Sequence, residues 1–209
     1  MKIELERVAP MEIEARSFEI ITSELPHPID EKLAPIIKRV IHTTADFDYA
    51  DTLCFSAGVV EQALAAIREG AVIVTDTTMA MSGINKKALA KHGGEVRCFI
   101  GDADVAERAA ANGTTRAVAS MDKAAQIDRP LIFAVGNAPT ALVRLYELIA
   151  EGRLHPRLVI GVPVGFVNVV QSKELIMTAD VPYIVARGRK GGSNVAAAIC
   201  NALLYLLGR

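Results

Sequence analysis

Short apolar runs alternate along the chain with longer segments in which apolar residues recur at helical spacing. Continuous runs of three to five apolar residues are typical of strands that are covered by helices on both faces. The predicted strands are residues 53–55, 71–74, 96–100, 131–135, 158–160 and 183–185. The predicted helices that follow them are residues 59–68, 86–91, 105–111, 117–126, 140–150, 169–177 and 194–207.

The chain before the first predicted strand is helical in pattern. Residues 17–24 are predicted to form a short helix that Pro26 ends, and the helical spacing of residues 30–43 places Leu33, Ile36 and Val40 on one face. We therefore predict an α/β fold: a doubly wound, mostly parallel sheet of five or six strands, with helices on both faces and a helical N-terminal segment. Since no repeat or interdomain linker occurs, we expect residues 1–209 to form a single domain.

Charge and hydropathy limit the partners. Apolar residues make up 51% of the chain, and 23 basic against 24 acidic residues leave a net charge of -1, which favours neither nucleic acid nor an anionic membrane. The longest apolar stretch, residues 195–207, is interrupted by Asn201 and is shorter than the roughly 20 residues that span a bilayer. It predicts a helix that is buried all round or that contacts a second subunit.

Cysteines and the N-terminus indicate the compartment. The first six residues lack the apolar core of a secretion signal, so we expect no signal peptide and a cytoplasmic protein. Cys54, Cys98 and Cys200 are far apart and lie in apolar runs, which predicts buried thiols and no disulfide. No spacing typical of zinc ligands occurs, so we expect no metal site.

Candidate chemistry lies in five blocks rich in Gly, Thr, Asn, Asp or basic residues. Four of them directly follow a predicted strand. Because ligands of open α/β sheets bind at the carboxyl ends of the strands, the blocks together predict one large, polar ligand with many arms. The blocks are residues 39–49, 75–79, 136–140, 161–167 and 188–193.

His42 stands out among the four histidines. It lies at the end of an amphipathic helix, where the helix dipole favours the protonated imidazolium, and Thr43, Thr44, Asp46 and Asp48 follow as groups that can orient the ring or hold its charge. A charged histidine is a good general acid. The alternative is a histidine that only caps the helix.

Two blocks open a helix directly after a strand. In the block at 136–140, Asn137 is a candidate N-cap, and the free N–H groups can bind a phosphate or carboxylate. The alternative is an ordinary strand-to-helix turn. In the block at 188–193, Arg189 and Lys190 add positive charge beside Ser193, which favours an anion.

The other two blocks predict two different surfaces of the ligand site, one polar and one without polar side chains. Residues 75–79 carry a cluster of hydroxyl groups, although Asp76 can simply cap a short helix. Residues 161–167 lack polar side chains, and Gly165 allows a flat ligand to approach the backbone beside Phe166. No Gly-x-Gly-x-x-Gly follows the first strand, which argues against NAD or FAD.

In order and spacing, these blocks and the Ser172-Lys173-Glu174 segment after the fourth resemble the precorrin-8X methylmutase family, also called cobalt-precorrin-8 methylmutase. The likeness begins near residues 13–20 and covers most of the chain. It implies a homodimeric α/β isomerase of the cobalamin pathway that moves a methyl group from C11 to C12 of a corrin precursor without a cofactor. His42 matches the family's active-site histidine, and Ser17, Thr77 and Arg116 fall where pocket residues are expected.

The implied ligand agrees with the residues. A tetrapyrrole-derived macrocycle with acetate and propionate arms needs anion sites and an apolar surface for its ring. One segment departs from the family pattern, Asn168-Val169-Val170-Gln171, where a small residue and a carboxylate are usual. Two alternatives stay open: a non-catalytic corrinoid carrier, and a nucleotide-binding Rossmann-type enzyme. The sequence does not distinguish a cobalt-containing from a metal-free substrate.

Overall fold

The computed structural model describes residues 6–208, so most of the N-terminal segment that we expect to lack a secretion signal lies outside it. Six strands form one sheet, and each overlaps a predicted strand. They are β1 (Leu53–Phe55), β2 (Val72–Thr75), β3 (Glu95–Arg97), β4 (Leu131–Val135), β5 (Leu158–Gly161) and β6 (Tyr183–Ala186).

Helices connect the strands, and three more precede the first strand. Nine of them correspond to the nine predicted helices, and the short α3 was not predicted. The short α5 is the helix given as the alternative for residues 75–79, but Thr77 caps it and not Asp76. The helices are α1 (Ile13–Glu24), α2 (Ala34–Thr44), α3 (Tyr49–Thr52), α4 (Val59–Arg68), α5 (Thr78–Gly83), α6 (Lys86–Ala90), α7 (Ala103–Ala111), α8 (Arg116–Ala124), α9 (Pro139–Ala150), α10 (Val169–Ile176) and α11 (Ser193–Leu206).

The strand order is β1-β6-β5-β4-β2-β3. All neighbouring pairs are parallel except β1 with β6, which are antiparallel. The chain runs outward from β2 to β3, then returns past β2 to β4 and continues to β5 and β6. The order of winding therefore reverses between β2 and β4, which is the topological switch point.

Helices cover both faces of the sheet, as predicted. Residues of alternating orientation along each strand feed two cores: Ile132 and Ile160 pack with α2, α4 and α11, whereas Phe133 and Val159 pack with α8, α9 and α10. β4 is buried along its whole length. This two-sided burial is why the central strands read as continuous apolar runs.

The strand predicted at 96–100 is wrong at its end. β3 ends at Arg97, whose Cα pairs with Val74 of β2, and it lies at the edge of the sheet. β2 ends at Thr75, one residue after that pairing, so residues beyond Cys98 have no neighbouring strand to bond. Phe99 instead packs against the helical layer.

The apolar C-terminal helix is an internal element. α11 packs against α2, α4, α5 and the sheet, and residues such as Ile199 and Leu204 are fully buried. This burial explains the apolar stretch within one chain, so the stretch is no longer an argument for a subunit contact. Within residues 6–208, no helix is long and apolar enough to cross a membrane. The three cysteines are unpaired, as predicted, but only Cys200 is fully buried.

Candidate active site

The topology brings the five polar blocks to one end of the sheet, where its parallel strands have their carboxyl ends. β2, β4, β5 and β6 are parallel, so the four blocks that follow them lie at this carboxyl end of the sheet. The block at 39–49 precedes β1, and β1 runs antiparallel to β6 with Leu53 opposite Ala186. The start of β1 therefore lies beside the end of β6, so the block that precedes β1 lies at the same end of the sheet as the other four.

Asp76 joins two of these blocks across the switch point. Its Oδ1 accepts a hydrogen bond from the Gly136 N–H at 2.8 Å, and its Oδ2 accepts from Asn137 at 2.8 Å and Ala138 at 2.7 Å. The side chain is 2% exposed. Burial raises the pKa of the Asp76 carboxyl, and the three N–H donors offset part of that rise.

This arrangement changes the predicted role of Asn137. The residue before α9 is Ala138, not Asn137, and the backbone N–H groups of the loop just before the helix bind the carboxylate of Asp76. The prediction of Asn137 as the N-cap is therefore wrong, and its exposed side chain faces a cleft instead. A carboxylate of the chain itself therefore binds the loop that leads into α9.

A cleft of about 480 Å³ lies beside the switch point, and we call it the switch cleft. Its size falls within the usual range of ligand sites, about 300–1,000 Å³. It brings together three of the predicted site residues, Thr77, Asn137 and Ser193. The switch cleft is lined by Thr77, Thr78, Met79, Gly136, Asn137, Val164, Gly191, Gly192, Ser193 and Asn194.

Two hydroxyl groups meet in the switch cleft. Thr77 Oγ1 lies 2.7 Å from Ser193 Oγ, and it also accepts a hydrogen bond from the Ala80 N–H at the start of α5. Ser193 is the first residue of α11, whose N-terminus has no side-chain cap. The start of α11 therefore faces the cleft with no side-chain cap, whereas the loop before α9 is bonded to the carboxylate of Asp76.

The two glycine-containing blocks form one wall. The Gly192 N–H donates to the Val162 carbonyl at 2.8 Å, and the Gly165 N–H donates to the Arg189 carbonyl at 3.2 Å. A Cβ on Gly191 would lie 2.1 Å from the Val162 carbonyl oxygen. Only glycine therefore permits this close approach of the two loops.

Exposed apolar side chains on two of the loops that line the switch cleft form what we call its apolar rim. Met79 is 70% exposed, Phe166 81% and Val167 79%. The Arg189 guanidinium lies 5.3 Å from the centre of the Phe166 ring. Large exposed apolar side chains beside a cation are suited to a ligand with a flat apolar body and acidic arms.

Lys173 supports the wall from within. It belongs to α10 and is fully buried, and its Nζ donates to the carbonyls of Gly188 and Lys190, each at 2.8 Å. Burial lowers the pKa of Lys173 to about 8. The sequence alone assigned no role to Lys173. Its place in the Ser172-Lys173-Glu174 segment, which resembles the family pattern, was the feature that pointed to it.

Lys173 is expected to make stability depend on alkaline pH. Above pH 8 the native state holds the neutral amine, while the unfolded chain keeps the proton until about pH 10.5. Unfolding then takes up a proton, so the free energy of unfolding rises with pH in this window, by about 3 kcal/mol in total. Chemical denaturation of wild type and Lys173→Met between pH 7 and 11 measures the difference. A constant difference across that range would contradict the lowered pKa.

Lys190 does not face the cleft with a free charge. Its Nζ lies 2.7 Å from Asp46 Oδ2 and 2.6 Å from Asp48 Oδ2. Those carboxylates raise the pKa of Lys190, and Lys190 lowers the pKa of Asp46. The ammonium expected to bind a substrate arm is therefore engaged by the block that follows His42.

His42 lies in the last turn of α2, exposed to solvent, with its ring 5.5 Å from the ring of Phe18. The four residues predicted to orient it bond elsewhere. The hydroxyls of Thr43 and Thr44 donate to carbonyls one turn earlier in α2, and Asp46 and Asp48 bind Lys190.

The end of α2 lies beside the start of α11. Arg39 stacks on Tyr205 near the end of α11, whereas Asp46, just after α2, meets Lys190, just before α11. The two helices are therefore antiparallel, and this arrangement brings the His42 end of α2 toward the loop that forms one wall of the switch cleft.

Two further predicted residues lie at the periphery. Ser17 is on α1, and its hydroxyl donates to the Ile13 carbonyl at 2.8 Å. Arg116 is the exposed first residue of α8. Thr115, which caps α8, contacts Thr140 of α9 at 3.2 Å, so Arg116 stands next to the block that Asp76 holds. Neither residue lines the switch cleft.

The segment that departs from the family pattern has a local structural explanation. Asn168 adopts a left-handed conformation (φ 58°), which Asn tolerates better than most residues. Val169 is buried at the start of α10, and Gln171 is exposed. None of these side chains lines the switch cleft.

The fold and the site define a doubly wound α/β protein with a cleft at its switch point, beside exposed apolar side chains. The sequence profile of the family described as precorrin-8X methylmutase matches residues 12–206. The chain therefore belongs to the precorrin-8X methylmutase family. Like its relatives, it is an isomerase of cobalamin biosynthesis that shifts a methyl group.

Individual relatives agree with this assignment. The chain is 50% identical to the cobalt-precorrin-8 methylmutase of Salmonella typhimurium, over 95% of this chain and 96% of that protein. It is 48% identical to the cobalt-precorrin-8 methylmutase of Priestia megaterium, over 95% of this chain and 89% of that one. The crystal structure of precorrin-8X methylmutase from Thermus thermophilus superposes with a TM-score of 0.85 at 42% identity, covering 93% of this chain and 96% of that one.

Proposed function

We propose that this protein moves the methyl group of cobalt-precorrin-8 from C11 to C12, with the macrocycle bound at the switch cleft and His42 as the proton donor. The observation that carries the proposal is that three features meet at the carboxyl end of the parallel strands. They are a hydroxyl-lined cleft, an exposed apolar rim and the His42 end of α2. These features suit a ligand that is apolar in its ring and acidic at its arms.

Each part of the ligand has a counterpart. The ring lies against Met79, Val164 and Phe166, whose apolar surface is removed from water on binding. One carboxylate arm binds at the uncapped start of α11 beside Ser193, where helix N–H groups and the helix dipole favour an anion. Arg189, next to Phe166, and Arg116, at the start of α8, serve further arms.

His42 acts on the conjugated system. As imidazolium it donates a proton to the conjugated carbon framework, because the ring nitrogens of the cobalt-containing substrate are bound to cobalt. The added positive charge draws electron density toward the protonated position. The C11–methyl bond then breaks as the C12–methyl bond forms, and the proton returns to His42, so no group is consumed. General-acid help of this kind contributes about 10²- to 10⁴-fold in rate. Holding the ring in a reactive shape supplies further acceleration.

The cobalt-containing substrate is favoured by the relatives. The two reported at 48% and 50% identity are both named for cobalt-precorrin-8. The test is to mix purified protein with cobalt-precorrin-8 and, separately, with metal-free precorrin-8X, and to follow the absorption change as conjugation is altered. We expect a higher kcat/KM with the cobalt substrate. A higher kcat/KM with the metal-free substrate would overturn this choice, and binding of both without conversion would favour a corrinoid carrier.

A homodimer and a cytoplasmic location stay predictions. A surface groove of about 500 Å³ between α1, α2 and the end of α11 supports a subunit contact, because Phe18, Pro35 and Leu206 present apolar surface there. Ile13 and Ile20 of α1 are also exposed.

A further inference from the structure

Lys190 connects the histidine-bearing helix to the wall of the switch cleft. Its Nζ bridges Asp46 and Asp48, which follow the end of α2, at 2.7 and 2.6 Å. Its backbone is fixed on the other side, because its carbonyl accepts a hydrogen bond from the buried ammonium of Lys173 at 2.8 Å. Three residues later, Ser193 lines the switch cleft.

The segment that receives Lys190 is itself ordered. Ala45 ends α2 in a left-handed conformation with its N–H bonded to the Ile41 carbonyl. The Asp48 N–H donates to Asp46 Oδ1 at 3.1 Å, which orients that carboxylate. A movement at Asp46 is therefore passed to the last turn of α2, where His42 lies.

The charges argue against Lys190 as a substrate ligand. One ammonium and two carboxylates leave the cluster with a net negative charge, which repels an acidic arm. Arg189, its neighbour, has its guanidinium over the Phe166 ring and lies at the apolar rim instead. The two adjacent cations therefore have different roles.

We propose that Lys190 is a positioning residue that clamps the His42 end of α2 to the wall of the switch cleft. The inference rests on the proposed role of His42 as proton donor. A proton donor must be held close to its productive position, and a displacement of about 1 Å can cost on the order of 100-fold in rate. Because exposed ion pairs contribute little to stability, the clamp serves geometry more than folding.

The kinetic test compares Lys190→Met, the double variant Asp46→Asn/Asp48→Asn and the triple variant. We expect kcat to fall about 10-fold in each with KM nearly unchanged, since the arms still bind. The triple variant is expected to be no slower than the others, because either change breaks the same clamp. A raised KM with unchanged kcat in Lys190→Met alone would overturn the proposal and make Lys190 a substrate ligand.

The chain supplies a matched control. Lys123 Nζ also bridges two carboxylates, those of Asp102 and Asp104, each at 2.7 Å, on helices away from α2. Lys123→Met therefore removes the same kind of ion pair without touching the clamp, and we expect its kcat to equal that of wild type. An equal loss in both lysine variants would show a general effect of charge and overturn the proposal.

A second readout does not depend on turnover. In histidine-labelled protein, the NMR signal of the His42 ring is identified by its absence in His42→Ala. We expect Lys190→Met and Asp46→Asn/Asp48→Asn to shift or broaden this signal in the same way, and Lys123→Met to leave it unchanged. An unchanged His42 signal in Lys190→Met would overturn the clamp even if the wild type proved inactive, an outcome that would separately refute the proposed function.

Discussion

Asp76→Asn is expected to lower the melting temperature by about 6–12 °C, because it removes the carboxylate that closes the switch point. Three backbone N–H groups of residues 136–138 donate to Asp76 at 2.7–2.8 Å in a buried setting. The amide of Asn offers one acceptor oxygen and turns an NH₂ group toward the remaining donors. Hydrogen bonds to a buried charge contribute about 1.5–3 kcal/mol each, so a net loss of about 3 kcal/mol follows.

Thermal unfolding followed by circular dichroism measures this effect. Asp180→Asn is the control, since Asp180 is exposed and its replacement is expected to change stability by less than about 0.5 kcal/mol. Because Asp76 holds the loop that carries Gly136 and Asn137, the variant is also expected to bind substrate more weakly below its melting temperature. A melting temperature within 2 °C of wild type, roughly the shift of 1 kcal/mol or less, would contradict the role of Asp76.

His42→Ala is expected to lower kcat by about 10²- to 10⁴-fold while leaving the affinity for the macrocycle nearly unchanged. The imidazole donates the proton, whereas the arms and the ring are held by other residues. Single-turnover absorption changes give the rate, and titration with the reaction product gives the affinity.

His155→Ala is the matched control for this loss. His155 is also exposed, but it precedes β5 and so lies at the amino end of the parallel strands, opposite the cleft. Its variant is expected to turn over like wild type. If His42→Ala retained a rate within threefold of wild type, a proton-donor role for His42 would be wrong, whatever the affinity.

The strands and their covering helices were predictable because burial on both faces leaves a simple pattern. Residues 131–135 are apolar without interruption, and the structure buries all of them as β4. The end of β3 was not predictable in this way. Its extent depends on how far β2 continues beside it, which is a property of the neighbouring strand and not of residues 96–100.

The convergence of the polar blocks was predictable for the four that follow parallel strands. The fifth, residues 39–49, lies at the same end of the sheet only because β1 is antiparallel to β6. A run of three apolar residues carries no information about strand direction. The polar groups around it, His42 among them, could therefore be recognised as candidates without being placed.

Individual side-chain partners were the least predictable part. Lys190 was interpreted from its neighbours as an anion ligand, but its partner Asp48 is 142 residues away in sequence. Asn137 was interpreted as a cap, but the backbone before α9 is held by Asp76, which is 62 residues before Ala138. Local sequence shows which groups can bond, and only the fold shows which of them meet.

The most direct test is a crystal structure of the protein with its reaction product bound. We expect the macrocycle to lie on the switch cleft against Phe166, with one carboxylate arm at the start of α11. We also expect a ring nitrogen of His42 within about 3.2 Å of the macrocycle, directly or through one water. A macrocycle bound away from the cleft, or a His42 side chain pointing away from it, would contradict the proposed site.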